Sequence, residues 1–213
     1  NWDRPAISNY HGATYHFRDL ARKIAKLHIM FEESGLEKGD KVAICSRNQA
    51  NWVVAFLSAM TYGAVPVPLM HEFKPSNIHH LVNHSESKVL FVDDVIWENI
   101  IESEMPALQA IIQVNTLKLM FAANEKITEA RARLNELFGK KYPMAFTPDS
   151  LNYHEDQAEE LAVINYTSGT SGFSKGVMTP ANALAGNIVF GLNSKLVFPG
   201  CRHVAFLPLA HAY

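Results

Sequence analysis

The sequence predicts an α/β fold with a mostly parallel sheet. Short apolar runs of strand length alternate along its 213 residues with segments whose apolar residues recur at helical spacing. The connections between them are short, which is typical of strand–helix–strand units with right-handed crossovers. Hydrophobic residues make up 48% and charged residues 19% of the chain, so its composition is globular rather than disordered.

The elements predicted for the first half follow this alternation. They are, in chain order, a helix over 17–31, a strand over 41–45, a helix over 52–60, a strand over 64–68, a helix from 75, a strand over 89–92, a helix over 95–101 and a strand over 110–114. Gly35 and Gly63 are suitable stops for the first two helices. Pro66 and Pro68 lack backbone N–H groups, so their strand should lie at an edge or an end, where those donors are not needed.

Residues 115–157 carry a different pattern. A charged helix is predicted over 125–138, and Lys140, Lys141, Pro143 and Pro148 indicate a connection after it. Charges spread along a helix usually mark an element that faces solvent. We therefore expect an exposed helix in this region and assign it no function.

The chain is organised around the segment from Tyr166 to Gly176, Y-T-S-G-T-S-G-F-S-K-G. It follows the apolar run 161–164 and combines three glycines with hydroxyl side chains and Lys175. Glycines let a backbone approach an anion and turn its N–H groups inward, while hydroxyls and an ammonium group add donors and positive charge. The segment therefore fits a phosphate site at the end of a buried strand, although a glycine-rich surface loop without a ligand has a similar composition.

Several named patterns do not match this segment. A Walker loop needs Gly directly before its lysine and Ser or Thr directly after it, but this chain has Ser174 and Gly176 there. The dinucleotide pattern G-x-G-x-x-G is absent, and a nucleophile elbow centred on Ser171 fails because Phe173 replaces the second glycine. A phosphate-binding role must therefore rest on another pattern.

The residues after the segment predict a helix and then a strand. Thr179 is a suitable N-cap and Pro180 a suitable first helical residue, and the helix should reach about residue 192. The N-terminus of this helix lies close to the glycine-rich segment in sequence and would add partial positive charge. A strand is predicted over 202–207.

The glycine-rich segment resembles the signature loop of the adenylate-forming superfamily, which includes acyl-CoA synthetases, luciferases and peptide-synthetase adenylation domains. The family pattern is roughly T-S-G-T-T-G-x-P-K-G-V, and here Ser171 replaces the second central Thr and Ser174 replaces Pro. After Met178, no residue matches the His that the family commonly has. Residues 36–44 and 52–68 also resemble superfamily segments, so the resemblance covers most of the chain outside 115–157.

The resemblance implies the layered α/β/α N-terminal domain of the superfamily. We expect residues 1–114 to form its first α/β portion, 115–157 a connecting helical segment and 158–213 the phosphate-loop portion. Relatives supply a magnesium-binding carboxylate, a ribose-binding Asp, a hinge residue and a lysine of a mobile C-terminal domain from later sequence, whereas no Asp or Glu follows Glu160 here. The chain is therefore expected to be a truncated N-terminal part that lacks the C-terminal domain and is inactive alone.

The resemblance also implies an activity. The sequence L-P-L-A-H that ends at His211 resembles the family's L-P-L-x-H motif, and it is most like that of bacterial long-chain fatty-acid–CoA ligases. We expect ATP and Mg²⁺ to activate a fatty acid as an acyl-adenylate, and CoA to accept the acyl group. Lys175 and Thr167 would be catalytic, Thr167 would also offer a magnesium ligand, and His211 would line the acyl pocket. The residues expected to bind the ATP phosphates are Thr167, Ser168, Gly169, Thr170, Ser171, Gly172, Lys175 and Gly176.

Three alternative functions stay open from the sequence. The first is adenylation of another carboxylic acid, or loading of a carrier-protein thiol instead of CoA. The second is a nucleotide-binding module without catalysis, and the third is a structural or interaction domain with a decayed loop. Carboxylate-dependent chemistry would separate the first from the other two, and nucleotide binding would separate the second from the third.

Charge, hydropathy and cysteine content bear on other classes. The formal net charge of -2 lacks the basic footprint of nucleic-acid-binding proteins. No apolar run has membrane-spanning length, so we expect a cytoplasmic protein, with peripheral membrane contact and a homodimer left open. Cys45 lies in an apolar strand pattern and should be a buried free thiol. His80 and His84 share a helix face, but exposed histidines are preferred to a zinc site there.

Overall fold

The computed structural model describes residues 1–167, 174–195 and 198–211. Its strands are β1 Pro5–Ser8, β2 Thr14–His16, β3 Lys41–Cys45, β4 Val65–Leu69, β5 Ser87–Val92, β6 Ala110–Gln113, β7 Leu119–Ala122, β8 Leu161–Thr167 and β9 Lys175–Pro180. Its helices are α1 Phe17–Glu33, α2 Ala50–Tyr62, α3 Pro75–His84, α4 Asp94–Trp97, α5 Glu125–Ala132, α6 Leu134–Lys141 and α7 Ala181–Asn193. Within this described part, no helix combines the length and the apolar character that crossing a bilayer requires.

The central sheet has the strand order β4-β3-β5-β6-β7. The first four of these strands are parallel, and β7 joins β6 in the antiparallel sense. The predicted mostly parallel sheet is therefore confirmed. The sequence did not predict β7, nor the small antiparallel pair of β1 and β2.

Strand β4 lies at an edge of this sheet, as its two prolines predict. The backbone N–H of Val65 donates to the carbonyl of Asp40 at 2.8 Å, so this N–H points toward the β3 side. Since backbone donors alternate along a strand, the positions of Pro66 and Pro68 face away from β3. The missing N–H groups therefore cost the β3–β4 ladder nothing.

Two apolar cores cover the two faces of the sheet. Val42 and Ile44 of β3 belong to the core shared with α1, α2 and α5, whereas Ala43 and Cys45 belong to the core shared with α3 and α4. This alternation is what the two-residue period of a strand produces when both faces are buried. The three-layer α/β/α arrangement follows, and Cys45 is a buried free thiol as predicted.

Two predicted helices are wrong in extent. The helix predicted over 95–101 is α4, which covers only Asp94–Trp97, and the N–H of Ile101 donates to Nε2 of His79 at 3.0 Å instead of to a helical carbonyl. The helix predicted over 125–138 is two helices, because Arg133 leaves helical geometry with φ -96 and ψ 12. Lys140 and Lys141 accordingly lie in α6 rather than in a connection, and Leu137 packs against the core beside α1 instead of facing solvent.

Candidate functional site

The described ends of the glycine-rich segment lie in two paired strands that form a β-hairpin. Strands β8 and β9 pair in the antiparallel sense, and Thr167 lies opposite Lys175 in the register. The two predicted catalytic residues therefore face each other across the base of the connection 168–174. Other residues predicted to bind phosphate lie outside the described part of the chain: Ser168, Gly169, Thr170, Ser171 and Gly172.

The side chains of Thr167 and Lys175 are exposed. Neither makes an ion pair or a side-chain hydrogen bond to any other described residue. A hydroxyl and an ammonium group are thus available at one end of the hairpin, and no carboxylate in the described ranges neutralises the ammonium. An anion with several oxygens suits this pair, because charge-assisted hydrogen bonds are the stronger kind.

Gly176 has a packing role that the sequence did not predict. It lies opposite Tyr166 in the register, and a Cβ at this position would come within 3.1 Å of Cγ2 of Ile164 and 3.4 Å of the Tyr166 ring. A side chain here would require the Ile164 methyl to shift by a few tenths of an ångström, whereas the Tyr166 ring is at an ordinary contact distance. Packing therefore favours a small residue at this position, and a contact of Gly176 with phosphate stays a prediction.

Tyr166 ties the hairpin to α3. Its hydroxyl lies 2.6 Å from Nδ1 of His84, the last residue of that helix. Burial raises the pKa of the Tyr166 phenol, so the group stays protonated at neutral pH and can donate to the imidazole. The sequence indicates His84 only as a neighbour of His80 on one helix face, and the two ring centroids lie 5.8 Å apart.

The helix after the hairpin begins far from the glycine-rich segment, and this corrects the sequence prediction. The predicted helix forms as α7, Ala181–Asn193, one residue later than predicted, with Pro180 rather than Thr179 as its N-cap. Thr179 and Pro180 also end β9, and Pro180 pairs with Leu161 at the opposite end of β8. Ala181, the first residue of α7, lies six residue steps after Lys175, which at about 3.3 Å per step places the helix N-terminus roughly 20 Å away. The partial charge of α7 therefore does not reach the segment's lysine.

His211 is held near the sheet through a residue that sequence reasoning missed. Nδ2 of Asn48 donates to the carbonyl oxygens of Ala205 at 3.0 Å and Leu207 at 2.7 Å, and the N–H of Leu209 donates to Oδ1 of Asn48 at 2.8 Å. The strand predicted over 202–207 does not form, and two of its carbonyls accept from the side chain of Asn48 instead of from a neighbouring strand. His211 itself is exposed, and its N–H donates to the carbonyl of Pro208.

Asn48 lies next to a polar crevice at the carboxyl ends of β3, β5 and β6. This is the edge at which open parallel sheets usually bind ligands. The crevice has a volume of about 400 Å³, and Arg47 and Gln49 line it beside Asp93. Asp93 is buried and accepts from the backbone N–H of Arg47 at 3.2 Å and of Ile96 at 3.3 Å. The segment that ends at His211 is therefore anchored at the carboxyl edge of the sheet.

One further cluster has metal-ligand chemistry. His154, Asp156 and Glu160 bring one ligand atom each within 4.8 Å of one another. Nε2 of His154 lies 2.8 Å from Oε1 of Glu160, and the backbone N–H of Gln157 donates to the other carboxylate oxygen at 3.0 Å. The Gln157 N–H and then His154 lower the pKa of the Glu160 carboxyl. These contacts account for the cluster without an ion, and it includes none of the predicted site residues.

Comparison with known proteins gives a consistent result. The AMP-binding enzyme family matches residues 1–213. Fatty acyl-CoA synthetase A of Dictyostelium discoideum is 30% identical over 184 residues, which are 84% of this chain and 26% of that protein. The medium-chain fatty-acid–CoA ligase of Escherichia coli is 25% identical over 218 residues, 99% of this chain and 36% of that protein. This chain thus spans about a quarter to a third of the length of these relatives.

A solved structure supports the fold. O-succinylbenzoate coenzyme A synthetase from Bacillus subtilis, in complex with AMP, superposes with a TM-score of 0.70 at 20% identity. The match covers 98% of this chain and 47% of that one. At this identity the likeness establishes the fold alone.

Proposed function

Because this chain belongs to the AMP-binding enzyme family, we propose that the full-length polypeptide containing it is a fatty-acid–CoA ligase. It would activate the acid with ATP and transfer the acyl group to CoA. The observation that carries this proposal is the hairpin, whose register sets Thr167 opposite Lys175 with both side chains exposed and unpaired by any other described residue. Long-chain acids are the proposed substrates, since several similar proteins are named for long-chain acids.

The proposed chemistry has two steps. A carboxylate oxygen attacks the α-phosphorus of ATP, the bond from that phosphorus to the bridging oxygen breaks, and pyrophosphate leaves. The sulfur of CoA then attacks the carbonyl carbon of the acyl-adenylate, AMP leaves with the bonding electrons, and the thiol proton passes to solvent. The first step needs no general base, because a carboxylic acid is already ionised at neutral pH.

Lys175 and Thr167 would act on the leaving pyrophosphate. The ammonium group and the hydroxyl donate to the β- and γ-phosphate oxygens, together with the side chains and N–H groups of residues 168–172. Donors fixed in advance at the place where negative charge gathers lower the barrier most. The Thr167 hydroxyl is also the proposed magnesium ligand of this chain, and carboxylate ligands would come from other parts of the polypeptide. His211 would shape the pocket for the acid.

The surface of the last helix supports assigning the activity to a longer polypeptide. Ile188, Val189 and Phe190 of α7 are exposed, and so is Phe206 in the segment anchored by Asn48. Large apolar surfaces usually mark an interface with another part of a protein. We propose that the remainder of the polypeptide covers them, and we expect this chain alone to have no ligase activity.

The test is carboxylate-dependent exchange of labelled pyrophosphate into ATP by the full-length polypeptide, with acids from acetate to palmitate. Exchange that rises with chain length is the expected result, and release of AMP on adding CoA would establish the second step. If folded protein gives no exchange with any of these acids, the proposed function is wrong. Nucleotide binding in that case would favour a module without catalysis.

Lys175→Ala should lower the exchange rate by about 100-fold or more, as removal of one transition-state donor does in other enzymes. Lys118→Ala is the matched control. It removes the same charge from the exposed β6–β7 connection, where Lys118 makes no ion pair in the described ranges. Equal rates for the two variants would remove Lys175 from the mechanism.

A further inference from the structure

A second cavity lies on the opposite side of the fold from the hairpin. It has a volume of about 420 Å³, within the range of small-molecule sites, and is enclosed by α1, α5, α6 and the β6–β7 connection. Strand β8 lies beside β4, whereas this cavity lies at β6 and β7. Three strand spacings of about 4.8 Å separate β4 from β6, or roughly 14 Å. The cavity is therefore separate from the proposed phosphate site.

The floor of the cavity is apolar. Leu27 and Met30 of α1 and Ile112 of β6 are buried there, and Leu117, Leu119 and Leu134 complete the wall. These residues also belong to the core on that face of the sheet or pack against it, so they are held in place by the fold. A rigid aliphatic floor of this kind suits a hydrocarbon chain or another apolar group.

The rim of the cavity is cationic. Arg22, Lys23, Lys26 and Arg131 line it, together with a single carboxylate, Asp19. The Asp19 carboxylate accepts from the backbone N–H of His16 at 2.9 Å, and it lies 3.9 Å from the guanidinium of Arg18. None of the four cations forms an ion pair with a described carboxylate. The rim thus presents more positive charge than the described residues neutralise.

Neutral groups hold these cations in position. Nζ of Lys26 donates to Oδ1 of Asn135 at 2.7 Å and lies 5.6 Å from the centre of the Phe138 ring, over which Arg22 also lies at 5.5 Å. Nη2 of Arg131 donates to the carbonyl of Leu117 at 3.3 Å. These contacts fix the positions of the side chains without neutralising their positive charge, which stays available to an anion. Partial burial is the main cause of a lowered pKa of Lys26, and the nearby charges of Arg22 and Arg131 lower it further. This agrees with several cations that face the same cavity.

We infer that this cavity binds an amphipathic anion, with the hydrocarbon part on the leucine-rich floor and a carboxylate or phosphate head at Lys26 and Arg131. An apolar cavity alone would suit a neutral ligand, and a cationic surface alone would suit a free anion. Here the same cavity has both features. The inference uses neither Thr167 nor Lys175 and does not rest on the proposed function.

Met30 allows a local test in the full-length polypeptide. ¹³C-methyl labelling of methionine makes the Met30 methyl observable, and the signal that disappears in Met30→Leu is assigned to the cavity floor. The probes are dodecyl phosphate, dodecanoate, dodecanol and inorganic phosphate. We expect a saturable shift of the Met30 methyl with the two amphipathic anions. Whichever of these two anions binds more tightly identifies the preferred head group.

Charge variants test the rim. Lys26→Gln and Arg131→Gln should each weaken binding of the better probe by about fivefold or more, since one partly exposed charge contact contributes on the order of one kcal/mol. Lys140→Gln is the control, because this lysine is on α6 but pairs with Glu136 at 2.7 Å and does not line the cavity. It should leave binding unchanged.

Several results would overturn the inference. An unshifted Met30 methyl at millimolar concentrations of both anions would mean that the cavity does not bind them. Dodecanol that binds as tightly as dodecyl phosphate would mean that the cationic rim is not used. Inorganic phosphate that binds equally well would mean that the apolar floor is not used. The probe comparison uses unmodified protein and stays decisive if a variant fails to fold, and it is independent of any pyrophosphate exchange.

Discussion

His28 of α1 should make the stability of this fold sensitive to mild acid. Its Nε2 lies 3.1 Å from the carbonyl oxygen of Ser58 and 3.1 Å from the hydroxyl of Thr61. The Thr61 hydroxyl donates to the carbonyl of Leu57 at 2.6 Å, so its oxygen accepts from His28. Both partners are therefore acceptors, and Nε2 carries the proton of the neutral ring. A second proton would have to enter at Nδ1.

The surroundings of the ring oppose that second proton. His28 is 8% exposed, and its neighbours include the rings of Phe31, Tyr62 and Tyr153. Burial lowers the pKa of His28 to about 4 from an ordinary value of 6.5, although the Ser58 carbonyl acts in the opposite direction. Since the folded pKa lies below the unfolded one, the unfolded chain takes up the proton first as the pH falls. The stability contributed by neutral His28 is thus full above pH 6.5 and is lost between pH 6.5 and about 4.

The size of the loss follows from linkage. One pKa unit corresponds to about 1.36 kcal/mol, so a pKa of about 4 against 6.5 gives a total loss of roughly 3 kcal/mol at low pH. Between about pH 7.5 and about pH 4.5 the same values give roughly 2.5 kcal/mol, because the folded state has itself begun to bind the proton. Typical domains have a free energy of unfolding of about 5–15 kcal/mol, so the loss should be measurable.

Urea unfolding at these two pH values, for the original chain and for His28→Gln, isolates the effect. Glutamine keeps an N–H donor for the Ser58 carbonyl but does not titrate. Losses from the carboxylates are common to both proteins and cancel in the difference. We expect the original chain to lose roughly 2.5 kcal/mol more than the variant over this range. Equal pH dependence of the two proteins, or a His28 ring that titrates near 6.5 by NMR, would refute the reasoning.

Two further predictions concern the same half of the chain. Gly63→Ala should destabilise the fold by roughly 1–3 kcal/mol in urea unfolding, because φ is +87 and a Cβ would lie 2.9 Å from the ring of His154. Gly35→Ala, with φ +70 and open space around the added carbon, is the control and should be milder; an equal effect would rule out the contact with His154. Cys45 should resist a thiol reagent in native protein while Cys201 reacts, because Cys45 is fully buried and burial raises its thiol pKa. Equal labelling of the two thiols would contradict this.

Periodicity predicted the parallel sheet because each of its elements has a local cause. Gly63 ends α2 in the left-handed conformation that glycine tolerates, and β3 alternates between two buried faces. Pro66 and Pro68 predicted an edge strand because they lack backbone N–H donors. Strand β4 does lie at the edge, and both prolines face away from its pairing with β3. In this part of the chain, local propensity and tertiary packing agree, which is when sequence patterns are most informative.

The missed features depend on partners that are distant in sequence. Strand β9 contains Gly176 and Pro180, which favour turns and helix starts, yet it is extended because it pairs with β8. The three hydrogen bonds of Asn48 join it to residues that come 157, 159 and 161 positions later in the chain. Nothing around Asn48 in the sequence indicates these bonds. Tyr166 and His84 are separated by 82 positions. Each of these contacts orients the candidate site, so the site was less predictable than the sheet.

The position of α7 changes how the candidate phosphate site must work. The sequence suggested three sources of positive charge: Lys175, the loop N–H groups and the N-terminus of the following helix. Strand β9 removes the third, because it carries the chain from Lys175 to the far end of the hairpin before α7 begins. A helix-terminus charge acts only over the first turn, so a separation of roughly 20 Å leaves no useful contribution. In the proposed mechanism, more of the electrostatic stabilisation of pyrophosphate would then depend on the lysine. Its removal should therefore cause a large loss of exchange rather than a partial loss masked by a helix dipole.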